Sequence, residues 1–143
     1  MRNSKIFILE DNLFYANLIL NRLEELGYGN VETFSNAEEM MVVIHQQPLF
    51  AFLDHNLPDG KGLDVLKDIK GTYPNINCIM LSGQATISVA IDSLKYGAFD
   101  YLLKGKDDSL ERIEKVLNDC FRMTRHDTQQ TKSKFLNSFL NIF

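Results

Sequence analysis

Glu10, Asp11 and Asp54 are the residues of this chain whose type and spacing point most directly to chemistry. Glu10 and Asp11 directly follow the run Lys5 to Leu9 (K-I-F-I-L), and Asp54 directly follows Leu49 to Leu53 (L-F-A-F-L). Both runs are short, and Lys5 is the one charged residue in either, as expected of strands buried on both faces of a parallel sheet. Ligands of open parallel sheets bind outside the carboxyl ends of the strands, so the three acids are expected to converge there. Carboxylates gathered at one point repel unless a cation joins them. A hard cation with oxygen ligands, Mg²⁺ above all, suits the cluster and leaves coordination places for a phosphate. Phosphoryl transfer at an acidic metal site is the chemistry implied.

The elements that must position these acids alternate regularly. Asn12 to Leu26 carries Leu13, Ala16, Leu20, Leu23 and Leu26 at helical spacing, and Gly27 supplies a left-handed end. Val31 to Phe34 is a short strand. Ser35 and Glu38 form a capping box for a helix that runs to about His45, and Pro48 breaks the chain before the third strand. The turn-rich D-H-N-L-P-D-G-K-G follows Leu53 and leads into a helix that turns Leu63, Leu66 and Ile69 inward. Ile76 to Leu81 is the fourth strand, Thr86 to Tyr96 a helix, Phe99 to Leu103 the fifth strand. The last helix, Leu110 to about Met123, takes Asp108 and Glu111 as its capping box. Five strands alternating with five helices predict an α/β sandwich with helices on both faces of a parallel sheet.

Composition agrees. The 143 residues suffice for one domain with a real core, and 45% hydrophobic with 24% charged content is ordinary for a globular protein. A net charge of -4 argues against broad contact with nucleic-acid phosphates. Cys78 and Cys120 lie in apolar patterns without a C-x-x-C pair and read as reduced, buried thiols of a cytoplasmic protein. No signal peptide is evident, and no stretch approaches the roughly 18 to 20 apolar residues of a membrane span.

Several motifs stand in a fixed order: Glu10-Asp11 after strand one, Asp54 ending strand three, Leu57-Pro58 and Gly62 beyond it. L-S-G-Q follows strand four, and G-A-F-D-Y-L-L-K ends strand five. In these the chain resembles the receiver domain of bacterial two-component response regulators, over about residues 4 to 124. The stand-alone chemotaxis regulators are the nearest type. The resemblance implies a flavodoxin-like fold with strand order 2-1-3-4-5. It implies that Asp54 accepts a phosphoryl group from a histidine kinase or histidine phosphotransfer protein. Mg²⁺ would be held by Glu10, Asp11, Asp54 and the backbone carbonyl of Asn56. Lys104 would pair with the phosphoryl group, and Ser82 would hydrogen-bond it while Tyr101 changes rotamer. Asn56 and Gln84 flank the site where the lifetime of the phosphoryl group is tuned. Such a protein is a switch, not an enzyme acting on outside substrates: it catalyses its own phosphoryl transfer and dephosphorylation.

Three positions depart from that pattern. Gly105 follows Lys104 where a proline with a cis bond is usual, so a trans bond is expected, a non-proline cis bond costing about 2.5 to 4 kcal/mol. Ser82 stands for the commoner Thr, and Asn56 and Gln84 are neutral amides. No role is assigned to His55. A receiver-fold scaffold that no longer cycles phosphate is the alternative reading. A flavin or nucleotide enzyme would want a glycine-rich loop where this chain has E-D-N-L. Residues 1–124 are expected to form the receiver, and 125–143 a polar linker with a short amphipathic segment. There Phe135, Leu136, Phe139, Leu140 and Phe143 share a helical face, for docking on the chain itself, a second copy in a homodimer or a partner. The tail does not resemble a DNA-binding module, so output is expected to be either absent or supplied by an unknown protein partner.

Overall fold

In the computed structural model, which describes residues 2–84 and 86–123, strand β1 (Ile6–Leu9) leads into helix α1 (Leu13–Glu25). There follow β2 (Val31–Phe34), α2 (Ala37–Val43), a 3-10 turn (Ile44–Gln46) and β3 (Phe50–Asp54). A hairpin of two short strands, β4 (Asn56–Leu57) and β5 (Gly60–Lys61), precedes α3 (Gly62–Thr72). Then come β6 (Asn77–Ser82), α4 (Ile87–Lys95), β7 (Asp100–Leu103) and α5 (Leu110–Met123). The main sheet is parallel in the order β2-β1-β3-β6-β7. With the hairpin set aside this is the expected flavodoxin-like 2-1-3-4-5 order.

Alternation along the strands divides the core. Phe7, Leu9, Ala51 and Leu53 face the layer of α2, α3 and α4, packing with Met40, Leu66 and Ala90. Ile6, Ile8, Phe50 and Phe52 face α1 and α5, packing with Ile19, Leu23, Ile113 and Leu117. β1 and β3 are buried at every residue, which is why their sequence shows no polar alternation. Cys78 and Cys120 are free and buried, and burial pushes both thiols up to about 12.

The structure corrects several local expectations. The α2 cap is Asn36, whose side chain accepts from Glu39 N at 2.9 Å, so the cap sits one residue beyond the expected Ser35. Asp59 from the β4-β5 hairpin reinforces it, accepting from Ala37 N and Glu38 N at 3.1 Å each. Ser109, not Asp108, caps α5, its hydroxyl accepting from Arg112 N at 3.1 Å, because the Asp108 carboxylate is engaged elsewhere. The loop expected after Asp54 contains the hairpin, and β3, β6 and β7 each begin one residue later than expected. In α1 the buried stripe is Ala16, Ile19 and Leu23, and Leu13 at the opening turn is 73% exposed. Gly27 takes the expected left-handed conformation. The tail residues Phe135, Leu136, Phe139, Leu140 and Phe143 lie outside the described residues.

Asp100 opens β7 with a partly buried carboxylate that accepts from Tyr101 N at 2.7 Å and from Arg112 at 3.4 Å. Burial pushes its carboxyl up to about 6, with Arg112 pulling the other way. The folded chain therefore holds this proton more tightly than the unfolded one. The stability Asp100 contributes is complete below its ordinary 3.8 and is lost as pH rises through about 6. Asp100→Asn keeps an acceptor for Tyr101 N and removes that titration. Between about pH 4 and about pH 7 the wild type should lose up to about 3 kcal/mol relative to the variant, measured by denaturant unfolding. Parallel stability profiles would contradict this.

Candidate functional site

The register of the sheet builds the site. Leu9 pairs with Leu53, so Glu10 and Asp54 leave β1 and β3 side by side at the carboxyl edge. Both continue the alternation that faces α1 and α5. Lys104, two residues past Leu102, shares that parity, and its N–H donates to the Ser82 carbonyl at 2.8 Å, fixing its register. As expected, the described residues contain no cis peptide bond, and Gly105 takes φ +83°.

Glu10 and Asp54 are buried and Asp11 is exposed, with one ligand oxygen from each lying within 4.8 Å of the others. Lys104 Nζ binds Glu10 Oε1 and stands 3.1 Å from Asp54 Oδ1. Burial, and then the neighbouring Asp54, push the Glu10 carboxyl up to about 7, against the pull of Lys104. Burial alone would lower the Lys104 ammonium, but Glu10 and Asp54 outweigh it and the net direction is upward. Three carboxylates served by one ammonium ion leave a hard, anionic oxygen cluster with one open flank at Asp11. That donor set fits a divalent cation. Asn56 N donates to Asp54 Oδ1 at 3.3 Å, holding the carboxylate from the hairpin side.

Ser82 and Tyr101 lie on the other side of the sheet. Tyr101 belongs to the core beneath α3 and α4 and is 2% exposed. Its hydroxyl donates to the Gln84 carbonyl at 2.8 Å. The Ser82 hydroxyl also donates to that carbonyl and accepts from Gln84 N, each at 3.1 Å. Sequence reasoning singled out Gln84 for its side chain. In the structure its backbone is the shared anchor of Ser82 and Tyr101, a role residue type does not signal.

Sequence reasoning also left out Tyr15, the link from Asp108 to Tyr15 and Gly105, and the steric reason for Gly62. Tyr15 OH donates to Asp108 Oδ2 at 3.0 Å, and Lys104 Nζ stands 4.8 Å from the centre of the Tyr15 ring. A Cβ at Gly62 would lie 2.0 Å from the Asp54 carbonyl oxygen. Among the described residues, no helix is long and apolar enough to cross a membrane.

A family model described as the response regulator receiver domain matches residues 6–117. The acid tolerance regulatory protein ActR of Rhizobium meliloti (strain 1021) is 30% identical over 105 residues, covering 73% of this chain and 54% of that protein. A putative NtrX-like response regulator of Rickettsia typhi is 36% identical over 107 residues, 73% of this chain and 22% of that one. The chain thus spans about half the length, or less, of these curated relatives. Among solved structures, a CheY-like response regulator receiver domain protein from Methanospirillum hungatei JF-1 superposes with a TM-score of 0.73 and 28% identity, covering 84% of this chain and 98% of that one. The phosphorylated cyanobacterial phytochrome response regulator RcpA does so with a TM-score of 0.72 and 28% identity, over 85% and 96% of the two chains.

Proposed function

Because this chain belongs to the response regulator receiver domain family, we propose that Asp54 accepts a phosphoryl group from a histidine kinase or histidine phosphotransfer protein. The observation that carries this is the convergence of Glu10, Asp11, Asp54 and Lys104 at one end of the sheet. An Asp54 carboxylate oxygen forms the new P–O bond as the donor's P–N bond breaks. The imidazole keeps the electron pair of the broken bond and takes up a proton from water. The resulting acyl phosphate is labile, so the group can leave again as phosphate on attack by water.

Two anions must meet in this step. Mg²⁺ held by Glu10, Asp11, Asp54 and the Asn56 carbonyl would neutralise charge on the transferring oxygens. Lys104, already between Glu10 and Asp54, is placed to pair with the phosphoryl group as a point charge. Incubation with acetyl phosphate and Mg²⁺ should add one phosphoryl group to the intact mass, and chelation should prevent it. Asp11→Ala removes a charged oxygen ligand. It should raise the Mg²⁺ needed for half-maximal labelling by about tenfold or more. Normal labelling without any divalent cation would overturn the metal assignment, and a wild type that never labels would favour a non-cycling scaffold.

The change is passed on through Ser82. Its hydroxyl turns from Gln84 across the end of β6 toward the phosphoryl oxygens, and Tyr101 readjusts at the Gln84 carbonyl they share. That moves the surface of α4, β7 and α5, where Ile87 and Ile91 are 46% and 44% exposed for an output partner. A switch of this kind needs two packings within a few kcal/mol. Ser82→Ala should still accept phosphate from acetyl phosphate but lose the amide shifts of α4 and β7. Unchanged shifts in that variant would sink the coupling.

A further inference from the structure

We propose that Tyr15 and Asp108 are positioning residues for Lys104, seating its ammonium over the Tyr15 ring and fixing the backbone that carries it. This rests on the reading of Asp54 and Lys104 given above. The problem they solve is visible in the chain. Lys104 stands at the end of β7 on a flexible four-carbon stem. The next residue, Gly105, adopts φ +83°, and glycine brings no stiffness of its own to that conformation. Left to itself, this segment would let the ammonium wander from the acid cluster.

Asp108 supplies the missing constraint. Its carboxylate accepts from Gly105 N at 2.7 Å and from Tyr15 OH at 3.0 Å. Its backbone carbonyl accepts from Arg22 Nε at 3.3 Å. Asp107 adds a second clasp, accepting from Leu103 N at 2.9 Å. Two of the three bonds to Asp108 come from α1, the helix that begins immediately after Glu10 and Asp11. The loop bearing the cation is therefore referenced to the helix that adjoins the anions, across 93 positions of sequence.

The Tyr15 ring is the other half of the device. With Lys104 Nζ 4.8 Å from its centre, the negative face of the ring offers a second seat beside Glu10 and Asp54. When a phosphoryl group displaces the ion pair with Glu10, the ammonium can swing a short arc over the ring without entering bulk water. Burial, and then the nearby Asp108, push the Tyr15 hydroxyl upward, so it stays a phenol and remains a donor to Asp108.

The test uses the full chain, acetyl phosphate and Mg²⁺. Tyr15→Leu should lower the maximal labelling rate about tenfold, with half-saturating Mg²⁺ unchanged. Tyr15→Phe keeps the ring and should stay within about threefold of wild type. In the wild type the Lys104 Cε protons should be shifted upfield by the ring, a shift kept in Tyr15→Phe and lost in Tyr15→Leu. Should Tyr15→Leu not fold, Asp108→Ala decides. It frees Gly105 N and the phenol together and should slow labelling about fivefold with a reduced Lys104 shift. Labelling of Tyr15→Leu or, in its place, Asp108→Ala at the wild-type rate would overturn the proposal. So would a Tyr15→Phe as slow as Tyr15→Leu, or a Lys104 signal indifferent to the ring. A wild type that does not label would instead overturn the phosphoacceptor reading on which this depends.

Discussion

Asp54→Asn is expected to abolish phosphoryl labelling and leave the chain folded. The amide has nearly the shape of the carboxylate but offers no anionic oxygen to form the P–O bond. No other acid in the site can take over. Glu10 is buried and bound to Lys104, and Asp11 is exposed at the flank where the metal would enter. The variant also carries a titration signature. Asp54 is one of the causes that raise the Glu10 carboxyl, so removing its charge relieves a buried repulsion in the metal-free chain. Burial remains the larger cause, so Glu10 should titrate below about 7 in the variant yet above its ordinary 4.5. Intact mass after acetyl phosphate, with the Glu10 titration followed by NMR, checks both parts. Labelling that persists at another aspartate would refute the assignment. A Glu10 carboxyl that still titrates at about 7 in the variant would refute the repulsion.

Gly62→Ala should damage both the fold and the site, because the space for its methyl group is already taken. An ideal Cβ there would lie 2.0 Å from the Asp54 carbonyl oxygen, 2.9 Å from the Asp54 carbonyl carbon and 3.0 Å from His55 Cα. All three are backbone atoms, so no side-chain rotation relieves the clash. Either the start of α3 retreats, breaking the bond from Gly62 N to the His55 carbonyl at 2.9 Å, or the Asp54 peptide turns. The carboxylate then leaves its place beside Lys104. A loss of about 2 to 4 kcal/mol in denaturant unfolding is expected, with labelling slowed about tenfold or more. Gly71 in the same helix is the control, since a Cβ there meets nothing within 4 Å. Gly71→Ala should stabilise by about 0.5 to 1 kcal/mol through helix propensity alone. Equal stability of the two variants would show that the close approach to Asp54 carries no cost.

The layers and the acids were legible in the residue pattern alone. A strand buried on both faces must be apolar at every position, so β1 and β3 announce themselves, and the acids that end them follow at fixed positions. Because parallel strands of one sheet end at a common edge, Glu10, Asp11 and Asp54 had to converge once those strands were recognised. Lys104 was legible only through its match to the receiver-domain pattern at the end of the fifth strand. Local patterns erred where two neighbouring polar residues compete for one task, as Ser35 against Asn36 or Asp108 against Ser109. Which of them caps depends on what else each can reach. Asp59 bonding the start of α2, and Asp108 tying Gly105 to Tyr15, join residues 21 to 93 positions apart. No periodicity records such a pairing. Burial decided the rest: of two adjacent carboxyl groups, Asp11 is exposed and Glu10 is buried and raised to about 7. How much water each side chain loses is a property of the packed layers around it, and only the folded chain fixes that.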